Sequence, residues 1–98
     1  MKFLALIEVV PGAELKAIRA ALVHELKGSW ALYAAGTLRE VYATETAGRV
    51  VFVLESFARP DAEAQLQGLP LISAGLLRYE LIELRPFVNW SLLFTRTP

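Results

Sequence analysis

From Gly68 to Phe87 the chain reads Gly-Leu-Pro-Leu-Ile-Ser-Ala-Gly-Leu-Leu-Arg-Tyr-Glu-Leu-Ile-Glu-Leu-Arg-Pro-Phe. A helix stop, a turn and a strand closed by Pro86 follow one another, and the strand is greasier than one buried face requires. The same holds for residues 2–10, which are aliphatic and β-branched up to the turn pair Pro11-Gly12. There Phe3, Ala5, Ile7 and Val9 point one way and Leu4, Leu6 and Val10 the other, so both sides of the strand need cover. Residues 49–56 form a third such run after the turn Thr46-Ala47-Gly48, and residues 37–44 alternate as a strand. In that last segment Leu38, Glu40 and Tyr42 are predicted on one face and Arg39, Val41 and Ala43 on the other.

Two helical segments separate the strands. Residues 13–35 carry Leu15, Ile18, Leu22, Leu26, Ser29 and Tyr33 on one stripe, with Glu25 and Leu32 along one edge and Trp30 along the other. The opposite side is built of small residues, including Ala17, Ala21, Gly28 and Ala31, together with His24. Gly28 costs about 1 kcal/mol against alanine inside a helix, which points to something packed close to it; the small-residue face reads either as a second contact surface between subunits or as alanine serving helix propensity. Gly36 ends this helix. Arg59-Pro60-Asp61 opens a second, shorter one that stops at Gly68. The predicted order is βαββαβ with strands at 2–10, 37–44, 49–56 and 76–84 and an apolar tail from Phe87 to Phe94. This is the ferredoxin-like split βαβ pattern, an α+β fold with a four-stranded antiparallel sheet. Two helices cover one face of such a sheet. The other face calls for a second sheet, which a two-fold partner supplies in a dimeric α+β barrel. The tail is expected to cross to the partner or close a further interface.

Composition agrees. At 98 residues the chain is expected to be one domain, 1–98. Its hydrophobic fraction of 55% exceeds the roughly 45–50% of ordinary globular chains, and an interface between copies is the favourable place for the surplus. Ten basic residues balance ten acidic ones, leaving no excess to neutralise phosphates, so nucleic acid is not expected as a partner. There is no cysteine, and His24 is the only histidine, which excludes disulfides, thiolate zinc sites and a multi-histidine metal site within one chain. The apolar start ends at Glu8 with no small-residue cleavage site after it, and no stretch approaches the ~20 residues of a membrane span, so a cytoplasmic protein away from membranes is expected.

With these residues in place the chain resembles the muconolactone isomerase-like family of dimeric α+β barrels. The resemblance rests on Leu32-Tyr33-Ala34-Ala35-Gly36 leading into Arg39-Glu40-Val41-Tyr42, on Gly68-Leu69-Pro70-Leu71, on Arg85-Pro86-Phe87, and on Leu92-Leu93-Phe94. The tail resembles a branch of that family apart from the true isomerases. The resemblance implies a cofactor-independent enzyme that shifts a double bond in a small lactone or enol acid, and a homodimer or larger homo-oligomer. It also aligns Glu25 with a glutamate of the isomerases' first helix and Arg39 with an arginine at the start of their second strand. Beside Arg39 this chain carries Glu40, Val41 and Tyr42, where the isomerases carry basic and histidine residues.

Four side chains are candidates for chemistry. Glu25, partly desolvated on the helix edge, has the makings of a general acid or base; an exposed helix charge is the alternative. The planar fork of Arg39 suits an anionic substrate group, or else a salt bridge with Glu25 or Glu55. Tyr42 and Trp30 are candidate walls of a small-molecule pocket, or simply core. His24 lies about 180° from the core stripe and reads as a surface or interface residue. Glu8, Glu55 and Glu80 read as rim or interface acids with Arg78 and Arg85 as partners. Two functions stand side by side: a proton-transfer enzyme built on Glu25 and Arg39, and a non-catalytic oligomeric binding or accessory module. A cofactor-free monooxygenase of the same fold is a third and weaker reading.

Overall fold

A computed structural model describes residues 1–95. Strand β1 (Lys2–Val9) is followed by helix α1 (Leu15–Ala34), strands β2 (Leu38–Ala43) and β3 (Arg49–Glu55), helices α2 (Arg59–Gln67) and α3 (Pro70–Ser73), and strand β4 (Leu77–Leu84). A 3-10 helix spans Val88–Leu93. The four strands form one sheet in the order β2-β3-β1-β4, and every neighbouring pair is antiparallel. This is the predicted ferredoxin-like α+β arrangement.

Phe3, Ala5 and Ile7 of β1 and Phe52 and Leu54 of β3 are buried beneath the helices. The helical cover comes chiefly from Ala62 and Leu66 of α2, one turn apart, and from Leu69 and Leu71 around α3. Helix α3 is absent from the sequence reading, which runs the segment as a turn into the last strand. Pro70 sits in its first turn, where a missing N–H costs nothing. Its end is a Schellman stop: Gly75 N–H donates to Ile72 O and Leu76 N–H to Leu71 O, both at 3.0 Å, with Gly75 at φ +75°. Helix α1 ends in the same way, with Gly36 N–H on Tyr33 O and Thr37 N–H on Leu32 O.

Two predicted orientations are corrected. Of the predicted stripe of α1, Leu15, Leu22, Leu26 and Tyr33 are exposed, and Ile18 and Ser29 are half-buried. The face turned inward is the one carrying Ala21, Glu25, Gly28 and Leu32, displaced by about 100° around the helix, one residue step. The cause is α3, which packs on α1. A Cβ on Gly28 would lie 3.0 Å from Leu69 Cδ2, so the small residues admit α3 of the same subunit, and the close packing that Gly28 signalled is internal. The second correction concerns β2. A bulge between Leu38 and Glu40 breaks the alternation, and Leu38, opposite Leu54, and Val41, opposite Phe52, both face the helices. Glu40 and Tyr42 fall on the open face.

That open face carries Leu4, Leu6, Val51 and Val53 at its centre, with Ile82 and Leu84 at 38% and 37% exposure beside them. Glu8, Arg49 and Arg78 form an ion cluster at one end, with Arg78 to Glu8 at 2.8 Å. The tail is left largely uncovered: Phe87, Val88, Trp90, Leu92, Leu93 and Phe94 are 64% to 85% exposed. It stretches the molecule to 64 × 27 × 19 Å and the radius of gyration to 16.6 Å, where about 13 Å is usual for a chain of this length. No helix among the described residues is long and apolar enough to cross a membrane.

Candidate functional site

Because α1 is propped on α3, its exposed apolar stripe overhangs the sheet without filling the space beneath. The gap is a cleft of about 260 Å³. Ile7, Val9, Val50, Phe52 and Leu77 form its floor, and Ile18, Leu22 and Leu26 its roof. Among the described residues Glu25 and Ser29 are the only polar side chains on the lining. The Ser29 hydroxyl donates back to Leu26 O at 3.0 Å within its own helix.

Among the described residues Glu25 is the one buried ionisable side chain, 8% exposed. Its Oε1 accepts the Leu71 N–H at 2.9 Å. Leu71 is the second residue of α3, so its amide is one of the donors that a helix start leaves without an intrahelical partner. No side chain of the α3 N-cap, Leu69, serves it. A carboxylate from a neighbouring helix fills the role. Burial pushes the Glu25 carboxyl above its ordinary range, and the Leu71 N–H pulls it part of the way back. A glutamate so placed is a better base than an exposed one and borders an otherwise apolar cleft.

The other candidates are spread more widely. Trp30 is 67% exposed and lies 5.5 Å, centroid to centroid, from Tyr33. Both border a shallower groove that continues the cleft along α1 and shares Leu26, Ser29 and Val41 with it. Arg39 sits at the β2 bulge with its Nε donating to Gly36 O at 2.5 Å, and does not line the cleft. Tyr42, carried to the opposite face of the sheet by the bulge, donates its hydroxyl to Glu40 Oε1 at 2.6 Å. That contact holds the Tyr42 phenol above its usual range. The structure therefore does not bring Glu25 and Arg39 to a common point within this subunit. His24 is exposed. Among the described residues no group of three or more His, Cys, Asp or Glu is placed to hold a metal ion.

Sequence reasoning missed Leu71 and the floor of the cleft. The Pro70 and Gly75 pair was the available signal for α3, and hence for free amides at its start.

No family model matches the chain, and no curated protein matches it in sequence. Solved structures do match in shape. A crystal structure of muconolactone isomerase superimposes with a TM-score of 0.73 at 20% identity, covering 91% of this chain and 93% of that one. The fold is that of muconolactone isomerase. A second similar structure is 5-chloro-2-hydroxyhydroquinone dehydrochlorinase (TftG) from Burkholderia phenoliruptrix AC1100, in complex with 2,5-dihydroxybenzoquinone. It gives a TM-score of 0.69 at 17% identity over 87% of this chain and 94% of that one. The resemblance read from the sequence and the likeness in shape thus meet on one fold.

Proposed function

We propose that the protein is a small cofactor-independent enzyme that isomerises a small lactone or enol by proton transfer, with Glu25 as the acid/base. The observation that carries this reading is the buried Glu25 carboxylate on the wall of an otherwise apolar cleft. In the step envisaged, ionised Glu25 takes a proton from carbon next to a carbonyl. The C–H electron pair moves into an enolate, and the protonated Glu25 returns the proton at another carbon of the conjugated system. No electrons enter or leave, so no redox partner is required. The two proteins of similar fold are named for an isomerase and a dehydrochlorinase, and one was solved with 2,5-dihydroxybenzoquinone, which fits a fold that takes small oxygenated molecules. In a screen of lactones and enols, the active substrate should lose on the order of a hundredfold or more in kcat on Glu25→Gln. Unchanged turnover removes Glu25 from the mechanism.

The bond from Leu71 N–H favours a second reading, in which Glu25 is a cap that anchors α3 and the cleft binds without turnover. A screen in which ligands bind and none is converted selects it.

The protein is further proposed to work as a homodimer or larger homo-oligomer, with a second copy on the open face of the sheet. The apolar centre of that face and the unburied tail support this, since both leave surface that one subunit does not cover. Light scattering at micromolar concentration should give twice the 10.9 kDa chain mass or more; a monomer mass overturns the assembly.

A further inference from the structure

We infer that the cleft selects neutral, mainly apolar small molecules that present a hydroxyl to Glu25, and that it discriminates against carboxylates of the same shape. This rests on the reading of the cleft as the binding site and names the ligand class it takes. The argument is one of charge inventory. Among the described residues Glu25 is the sole ionisable side chain on the lining, and no lysine, arginine or histidine of theirs joins it. The arginine nearest in sequence to the cleft's β2 wall, Arg39, donates its Nε to Gly36 O and does not line the cleft. A ligand carboxylate would therefore enter a space with an anion already in it and no cation to answer it. Like charges at close range repel strongly once water is thinned out. A ligand hydroxyl meets the opposite situation. Among the described residues one hydrogen bond reaches Glu25, at Oε1 from the Leu71 N–H, which leaves carboxylate lone pairs on a group that lines the cavity to accept an O–H. The rest of the lining offers aliphatic and Phe52 surface to a hydrocarbon body, and Ser29 is already engaged with Leu26 O. The volume of about 260 Å³ lies just below the ~300–1,000 Å³ of drug-sized sites, so the body is about the size of one substituted ring.

The test uses two probes of matched shape, 4-methylphenol and 4-methylbenzoate, titrated at neutral pH into the intact protein. Binding is read from the methyl NMR signals of Leu22, Leu26 and Leu77. The phenol is expected to bind at least tenfold more tightly, and Glu25→Gln is expected to shrink that gap by weakening the phenol and admitting the benzoate. Equal or tighter binding of the benzoate to the native protein overturns the inference and shows that a cation reaches the cleft, while the site itself stands. A gap that persists in Glu25→Gln overturns Glu25 as the selecting group. Absence of shifts with either probe overturns the site and the inference together. The native ratio decides between the phenol and the benzoate without the variant, so a Glu25→Gln chain that fails to fold does not rescue the idea.

Discussion

The two longer helices of this molecule invert what their sequences suggest. Helix α1 has twenty residues with four leucines, a tryptophan and a tyrosine, yet Leu22, Leu26, Trp30 and Tyr33 are exposed and the residue it buries is a glutamate. Helix α2 has nine residues with few apolar ones, yet Ala62 and Leu66 are sealed completely. Apolar content does not by itself decide which helix completes the core. Ala62 and Leu66 of the short helix share one buried cluster with Phe3 and Leu54, whereas the long helix packs on α3. Of the two helices α2 supplies the fully buried apolar side chains, and α1 is left with an exposed apolar stripe.

A pair of truncations tests that division most sharply. Leu66→Ala should cost about 2–5 kcal/mol in urea unfolding, the usual loss for a leucine removed from a packed core. Leu26→Ala should change stability by about 0.5 kcal/mol or less, as exposed positions do, while weakening the binding of 4-methylphenol. Equal destabilisation by the two would mean that α1 is packed after all and that the cleft is closed in solution.

The same contrast shows what was legible in the sequence. The four strands could be read because Pro11-Gly12, Thr46-Ala47-Gly48 and Pro86 punctuate runs of strand-forming residues, and punctuation is local chemistry. The inward face of α1 could not, because it is set by Leu69 and Pro70 meeting Gly28, a contact between segments some forty residues apart in the chain. One bulged residue in β2 was enough to put Tyr42 on the far side of the sheet from the cleft. Glu25 was recognisable by type and by its place at the edge of the stripe. Its partner, Leu71 N–H, lies 46 positions away and belongs to a helix that reads as a turn in the sequence.

The smallest effect concerns the charge that α1 buries in place of a leucine. Burial raises the folded-state pKa of Glu25 above its unfolded value, which is about 4.3 for a free glutamate. The folded chain then holds this proton more tightly than the unfolded chain. The resulting stabilisation is fully present below the unfolded pKa and is lost as the pH rises through the folded one. Glutamine at this position does not titrate but keeps a carbonyl oxygen to accept the Leu71 N–H. The stability of Glu25→Gln minus that of the native chain should therefore grow as the pH rises from about 4 and level off once Glu25 is ionised in the fold. Other carboxylates contribute equally to both proteins and cancel. Urea unfolding of the two chains across this range measures the slope directly. A difference that falls with rising pH would show that the Leu71 N–H outweighs desolvation. Glu25 would then be a stabilised carboxylate anchoring α3, and the contrast between a helix that builds the core and one that carries the chemistry would lose its chemical half.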